Sequence, residues 1–495
     1  MGLSIETDTF SNQDFVLFEQ KVRDDLDVLK KLLADPDFGV GQASLGAEVE
    51  FYIVDHQHKL LPINMEINAL LQDPQLTVEL NRFNLEYNLS PQPYCGAPFM
   101  AIEQELNTAI KKIDEAATLH RGQVIPIGIL PTLTKKDFDD QTMTDIPRYR
   151  ALSHALCKMR GGPFKIAIDG KEPLELETND VTLEGASTSF QIHWRVPTSQ
   201  YADYFNAVQL VTPVVLALSS NSPSLFGHHL WAETRIALFK QSIDSRSSHE
   251  QSWRHPPRVF FGNGWVRESA WELFAASAAL FPPIIPVIGD ENPHACFAAG
   301  KTPKLEELRL HQGTTWQWNR AIYDDVDGGH LRIEMRSLPA GPTLIDMSAN
   351  ALFAIGCAMA VLPDIKHLTS VLPFNYAEHN FYRAAKYGMD ARLVWPAKTQ
   401  VHLHEESVLH IAKHLLPKAF HALETTELCH TEIKRLMNVI QGRIEQRICG
   451  AKWQRLVTNH LLKSNNREEA FAEMLTRYIQ GYRSGKPVCE WSISP

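Results

Sequence analysis

Gly329–Phe353 reads GHLRIEMRSLPAGPTLIDMSANALF. His330, Arg332, Glu334 and Arg336 take one parity of its first half; Leu331, Ile333 and Met335 take the other. Side chains alternate across a β-strand, so this spacing predicts a strand with one apolar face and one face carrying a carboxylate among basic groups. A Pro-Ala-Gly-Pro turn follows, and then the apolar spacing of a helix. A strand turned toward water could carry such a face. So could a site that grips an anion.

Three other stretches have the same design. In Gly46–Val54, Glu48, Glu50 and Tyr52 oppose Ala47, Val49, Phe51 and Ile53. In Phe83–Leu89, Asn84, Glu86 and Asn88 oppose Phe83, Leu85, Tyr87 and Leu89. In Ser189–Val196, Ser189, Gln191, His193 and Arg195 oppose Phe190, Ile192, Trp194 and Val196. Any one of these alone reads better as an ordinary antiparallel strand with one wet face. Glu48 and Glu50 would then be solvated, Glu86 would close a turn between two asparagines, His193 would be a satisfied core histidine, and Arg332 and Arg336 would simply pair with Glu334. Solvated strand faces usually carry Thr, Lys and Ser, however. Four faces of Glu, His, Gln and Arg are the ligand set of a divalent cation and a phosphate. Mg²⁺ takes carboxylate oxygens, and an imidazole suits the softer Mn²⁺. Carboxylates at i and i+2 on a strand lie roughly 6–7 Å apart, which suits shared or adjacent metals.

The chain is long enough for a large core, and more than one domain is the default expectation. It has 495 residues, 44% of them hydrophobic, and a formal net charge of −10. No long basic tract is present, which argues against non-specific nucleic-acid binding. The seven cysteines are scattered without a C-x-x-C pair, so a reducing cytoplasm is expected rather than a disulfide framework. MGLSIETDTFSNQDF is polar and acidic, not a signal peptide, and Glu6 breaks the myristoylation pattern. The apolar run Ala207–Leu218 is too short to span a bilayer and contains Pro213, so no membrane partner is expected.

Helical periodicity marks Phe15–Asp35, Phe99–His120, the buried run from Tyr201 to Asn221, Ser269–Leu280 and Leu344–Leu362. Gln123–Leu130 reads as a further short strand. Beyond about Gln400 the pattern becomes helical, in HEESVLHIAKHLLPKAFHAL and TEIKRLMNVIQGRIEQRI, with no comparable strand. The expected division is residues 1–400 as one catalytic domain and 401–495 as a helical region packed on it. The class is α+β, lacking the regular βαβ beat of a doubly wound fold. AAGKTP (Ala298–Pro303) lacks the first glycine of a P-loop, and FGNGW (Phe261–Trp265) lacks the third glycine of a dinucleotide fingerprint. Arg235, two residues after Glu233, is a candidate anchor for a substrate carboxylate, because guanidinium binds carboxylate bidentately; from spacing alone a surface arginine is an equal reading.

GAEVEFYIVD, RFNLEYN, EGASTSFQIHW, NSPSLFGHHLWAETRIALF, FFGNGWV and HLRIEMRSLPAGPTLIDMSANALF occur in the order expected of the glutamate–cysteine ligase and carboxylate–amine ligase family, within the glutamine-synthetase-like superfamily. The resemblance runs over roughly Ser44–Leu362, and GAKWQR (Gly450–Arg455) also resembles that family. It implies a curved antiparallel sheet forming a funnel flanked by helices, with ATP at one end, the other substrates at the opposite end, and Mg²⁺ between. By the same resemblance Glu48, Glu50, Glu86, His193 and Glu334 are metal ligands. Arg332 contacts phosphate, with Arg336 beside it, and Arg235 contacts the amino-acid carboxylate. Gln191 is taken as a further substrate contact.

The expected activity is therefore an ATP- and Mg²⁺-dependent joining of the γ-carboxyl of glutamate to an amine, cysteine by default. A free carboxylate is a poor electrophile, and ATP activates it as an acyl phosphate that the amine displaces. Phosphoryl transfer needs positioning and charge neutralisation more than covalent help, which accounts for these residue types. A catalytically dead nucleotide-binding relative, a metallohydrolase, and a ligase using another amine are the alternatives. The metallohydrolase gives Arg332 no role.

Overall fold

The computed structural model describes residues 5, 7–139, 141–252, 255–396 and 402–493. Eight strands form its main sheet: β1 (Ser44–Asp55), β2 (Leu76–Val78), β3 (Asn84–Asn88), β4 (Gln92–Pro93), β5 (Gly122–Ile125), β6 (Phe190–Arg195), β7 (Asn319–Asp324) and β8 (His330–Met335). The order is β7-β8-β6-β1-β3-β2, and every pairing is antiparallel. β4 and β5 also pair with β1.

β1 is the spine. Its twelve residues extend roughly 40 Å. Along one edge it meets β6 through Leu45–Val49 and then β5 through Tyr52–Asp55. Along the other it meets β4 through Ser44 and Leu45 and then β3 through Glu48–Tyr52. The exchange of partners partway along lets the sheet curl into an antiparallel half-barrel, the α+β architecture expected from the sequence. The apolar parity goes inward as expected: Ala47, Val49, Phe51, Leu85, Ile192, Trp194, Leu331, Ile333 and Met335 are all buried.

Helices cover that apolar face. α1 (Asn12–Ala34) begins at a capping box, Ser11 accepting from the Asp14 N–H and Asp14 from the Ser11 N–H. α2 (Pro98–Thr118) has proline in its first turn, where the missing N–H costs nothing. α3 (Tyr201–Ser219) and α4 (Leu344–Val361) are buried almost all round and form the centre of the helical layer. Leu344–Val371 is long and apolar enough to cross a membrane, but most of it lies inside the protein.

The C-terminal helices α5 (Val408–Glu424), α6 (His430–Gln446), α7 (Gly450–Leu461) and α8 (Arg467–Ser484) pack on this layer. The buried Arg443 donates to Asp346 Oδ1 at 2.7 Å, an ion pair between α6 and α4. Arg435 forks onto Glu103 of α2 at 2.9 and 3.0 Å.

Two sequence expectations are corrected here. HEES does not open a helix: His404–Ser407 is a strand paired with Arg392–Trp395, and α5 starts at Val408. Leu393 is buried opposite Glu406 in that hairpin, so pairing and burial of the partner strand override the helical reading of a polar run. The Gln123–Leu130 strand ends at Ile125, because Pro126 cannot donate to a ladder. A helix, Pro147–Arg160, and a hairpin of Phe164–Ile168 with Leu174–Thr178 fill a stretch in which the sequence reading assigned no element. The division placed at residue 400 falls outside the described residues, as do residues 1–4 and 6 of the N-terminal stretch.

One buried carboxylate ties α1 to the sheet's far flank. Asp25, 1% exposed, accepts the Leu308 N–H at 3.0 Å at the start of the Glu306–Gln312 helix. Burial pushes its carboxyl up to about 7, the Leu308 bond working against this and Glu307 adding to it. A carboxyl raised in the folded state holds its proton while the unfolded chain has already ionised. Its contribution to stability therefore falls as pH rises from about 4 to about 7. Asp25→Asn should match the wild type in thermal unfolding near pH 4 and exceed it at pH 8, by on the order of 1–3 kcal/mol. An equal or lower melting temperature at pH 8 would contradict this account.

Candidate active site

The antiparallel register aligns the polar parities of the four sequence-predicted strands. Directly opposed residues share a face. Glu334 sits between Arg320 of β7 and His193 of β6. His193 faces Gly46, which adds no side chain, and Gln191 faces Glu48. Glu48 in turn faces Asn88, and Glu50 faces Glu86, which faces Thr77. Arg332 faces Arg195 at the outer end of β8 and β6. The sheet thus carries a contiguous polar field on one side.

Glu334, on the second strand of that field, is 1% exposed. Arg320 approaches both of its oxygens, Nη2 at 3.0 Å from Oε1, and Arg336 Nη1 donates to Oε1 at 2.8 Å. Burial opposes its charge, but Arg320 and Arg336, with the His193 ring, hold the carboxyl well below the usual range. His193 Nε2 lies 3.0 Å from Glu48 Oε1 and 3.8 Å from Glu334 Oε1. Burial likewise opposes the charge of Glu48, and the adjacent imidazole outweighs it, bringing that carboxyl down to about 2. Ligand atoms of Glu48, His193 and Glu334 all lie within 4.8 Å of one another, and the ring nitrogens of His193 are buried without a well-aligned hydrogen-bond partner. This donor set fits a divalent cation.

The other half of the field is crowded with carboxylates. Glu50 accepts from the Ser189 N–H at 2.7 Å, Ser189 Oγ at 2.9 Å and Gln191 Nε2 at 3.1 Å. Burial still holds its carboxyl above the ordinary value. Burial and the neighbouring Glu48 push Glu86 up to about 8, even with Asn88 Nδ2 donating to it at 3.0 Å. Two further members were absent from the sequence expectation. Glu79 is raised well above its usual value by burial and by Glu86, Glu50 and Glu184, and Glu184 is raised to about 8 by burial and Glu50. A tight turn carries Glu79 back toward Glu86. Asn81 in that turn donates to the Thr182 carbonyl at 2.8 Å, which brings the Thr182–Ala186 3₁₀ segment and Glu184 alongside. Gly185 is required there, since a Cβ would lie 2.4 Å from Asn81 Nδ2. The sequence signal for Glu79 was the alternation of Leu76-Thr77-Val78-Glu79-Leu80, which gives it the polar parity of Thr77, and Glu184 opens the EGASTSFQIHW stretch.

The arginines divide into distinct places. Arg336 stands among the carboxylates, bonded to Glu334 and to Gln191 Oε1, with its charge reaching Glu48 and Glu50. Gln191 therefore links Arg336 to Glu50. Arg332 lies farther out, Nη1 2.6 Å from Asp324 Oδ2. Arg235 is buried, with Nε 2.7 Å from Glu233 Oε1 and Nη2 donating to the Ser337 carbonyl at 2.7 Å. Its positive charge also acts on Glu50. GAKWQR does not face the polar field: Gln454 Nε2 donates to Asn221 Oδ1 at 2.8 Å, and Tyr478 Oη accepts from Asn221 Nδ2 at 2.9 Å. Asn221 N–H in turn donates to Glu233 at 2.8 Å, so the C-terminal helices brace the turn that carries Arg235.

Comparison with known proteins agrees with this fold. No curated protein sequence matches the chain. Among solved structures it is similar to a glutamate–cysteine ligase from Francisella tularensis in complex with AMP, at 13% identity and TM-score 0.56 over 90% of each chain. It is also similar to a bifunctional glutathione synthetase from Pasteurella multocida, at 9% identity and TM-score 0.50 over 92% of this chain and 53% of that one. Likeness at such identities concerns the fold. The model of glutamate–cysteine ligase family 2 matches residues 44–474, from the first residue of β1 into α8, and thus includes all four polar-faced strands. This chain belongs to glutamate–cysteine ligase family 2.

Proposed function

We propose that this protein is an ATP-dependent carboxylate–amine ligase that joins the γ-carboxyl of glutamate to an amine, cysteine by default, through an acyl phosphate. The observation that carries the reading is the juxtaposition, on one sheet face, of a carboxylate–imidazole cluster with a row of arginines. Family membership supports the ligase class.

Glu48, His193 and Glu334, with Glu50, Glu86 and Glu79 beside them, would hold Mg²⁺; the imidazole also suits Mn²⁺. Bound there, the cation neutralises phosphate charge. The carboxylates raised by burial and mutual repulsion are groups that a cation would relieve. Arg332 would meet the phosphates, and Arg336, which braces Glu334 and bonds Gln191, would stand beside it. Arg235 and Gln191 would stand on the glutamate side, the first supporting Glu50 and the turn around Asn221, the second bridging Glu50 and Arg336. In the reaction the glutamate γ-carboxylate oxygen attacks the γ-phosphorus and ADP leaves. The amine nitrogen then attacks the acyl carbon, loses a proton, and phosphate departs with the C–O bond. The chain's work is to position these groups and stabilise charge without reorganising at the moment of transfer.

Glu86→Gln and Glu334→Gln should each lower kcat at least about a hundredfold, the scale of losing one major electrostatic contact, with circular dichroism unchanged. Near-normal turnover in both variants would remove the metal assignment.

The acyl phosphate should also be open to a small nucleophile. Enzyme, ATP, Mg²⁺, glutamate and hydroxylamine should give γ-glutamyl hydroxamate with one ADP per hydroxamate, and the product should vanish without Mg²⁺. Hydroxamate formed equally well without ATP would point to a transferase or hydrolase. Product with another amino acid but not with glutamate would keep the chemistry and discard the donor.

A further inference from the structure

Arg195 and Arg332 are direct cross-strand neighbours at the outer end of the polar face. Like charges opposed across antiparallel strands repel and cost stability. Arg332 has a counter-charge in Asp324, at 2.6 Å. Among the described residues Arg195 has no ion pair; its Nη2 donates to the Val40 carbonyl at 3.4 Å. The Nε atoms of both arginines are buried without a hydrogen-bond partner, as is Thr198 Oγ1.

The loop before β1 closes on these groups because it carries glycine. Gly39 has φ +77, and a Cβ there would lie 2.1 Å from Thr198 Oγ1. A Cβ at Gly41 would lie 2.4 Å from Arg195 Nη2. His330 completes the surroundings, its Nε2 3.4 Å from Arg332 Nη1. Burial, Arg332 and Arg195 together favour the neutral imidazole. Guanidinium stays charged in proteins, so two cations face one carboxylate and several donors point at no acceptor.

We infer that Arg195 and Arg332 form a two-guanidinium seat for a phosphate of the nucleotide, with Thr198 Oγ1 as a further donor. The inference rests on ATP being a substrate. Arg195 is two residues from His193 and Arg332 two from Glu334, so the seat lies roughly 6–7 Å along the strands from the carboxylate–imidazole cluster. One polyphosphate chain can run from cluster to seat, and guanidinium forks match its oxygens bidentately. An anion between the two arginines also offsets the repulsion that the register imposes.

Thermal unfolding and calorimetric titration of Arg195→Met and Arg195→Lys test this, with MgATP and inorganic tripolyphosphate as probes. Without ligand, Arg195→Met should melt at or above the wild-type temperature, because it removes a like-charge neighbour. Its Kd for both probes should rise at least about tenfold, the scale of losing a charge-assisted hydrogen bond. Arg195→Lys should recover part of the affinity, since lysine keeps the charge but not the fork. Wild-type affinity for both probes in Arg195→Met would overturn the seat, and so would a lowered melting temperature with affinity unchanged, which marks a structural arginine. A wild-type protein that binds tripolyphosphate but not ATP, with Arg195→Met binding neither, would retire the nucleotide reading and keep the seat. Wild-type protein binding neither probe would overturn both.

Discussion

Glu334 is a carboxylate kept charged inside the protein, and the site is arranged around the means of doing so. Burial alone would protonate it. Arg320 and Arg336 supply the opposing charge and His193 adds to it, each from a different position. Arg320 comes from β7, His193 from β6, and Arg336 from the residue just past β8. Arg320 and His193 meet Glu334 because the antiparallel register places the three in one row, and Arg336, two residues on, shares the face by strand parity. A slip of one residue in any of these strands would turn its polar parity into the core and bury unpaired charge, so the register is strongly specified.

The same constraint explains why the field is divided. Cationic groups cluster on β7, β8 and the end of β6, whereas carboxylates crowd β1, β3 and the segments beside them. Charge balance holds at Glu334 and fails at both margins: raised carboxyls at Glu79, Glu86 and Glu184 on one side, and opposed arginines on the other. A face built this way is poised for a cation at one margin and an anion at the other.

Support for the site reaches well beyond the sheet. Gln454 and Tyr478, far along the chain, converge on Asn221, whose turn is joined through Glu233 to Arg235. Arg443 and Asp346 form a fully buried pair between α6 and α4, with Asp346 also accepting the Val488 N–H at 3.0 Å. Such pairs are costly to break from one side, because the remaining charge is left buried. The C-terminal helices are therefore part of the scaffold that holds the Arg235 side of the site.

By itself the sequence determined the four polar-faced strands, their residues and the helices around them, because period-two and period-3.6 alternation are local properties of the chain. Glu48, Glu50, Glu86, His193, Glu334, Arg332 and Arg336 were legible for that reason, and motif order added the family. Glu79 continues the alternation of Leu76-Thr77-Val78-Glu79-Leu80, a run too short to stand out beside the four longer strands, and Glu184 lies on a 3₁₀ segment with no such pattern; both join the site through the Asn81 turn and its bond to Thr182. The partner of Glu334 on β7, Arg320, depends on pairing between strands, which no local pattern encodes. The HEES strand was missed because a hairpin partner, not its own spacing, sets its conformation. Tertiary structure alone decided which arginine stands among the carboxylates and which faces a second arginine, because charge energies depend on distances across strands and on burial, and neither is a property of position along the chain.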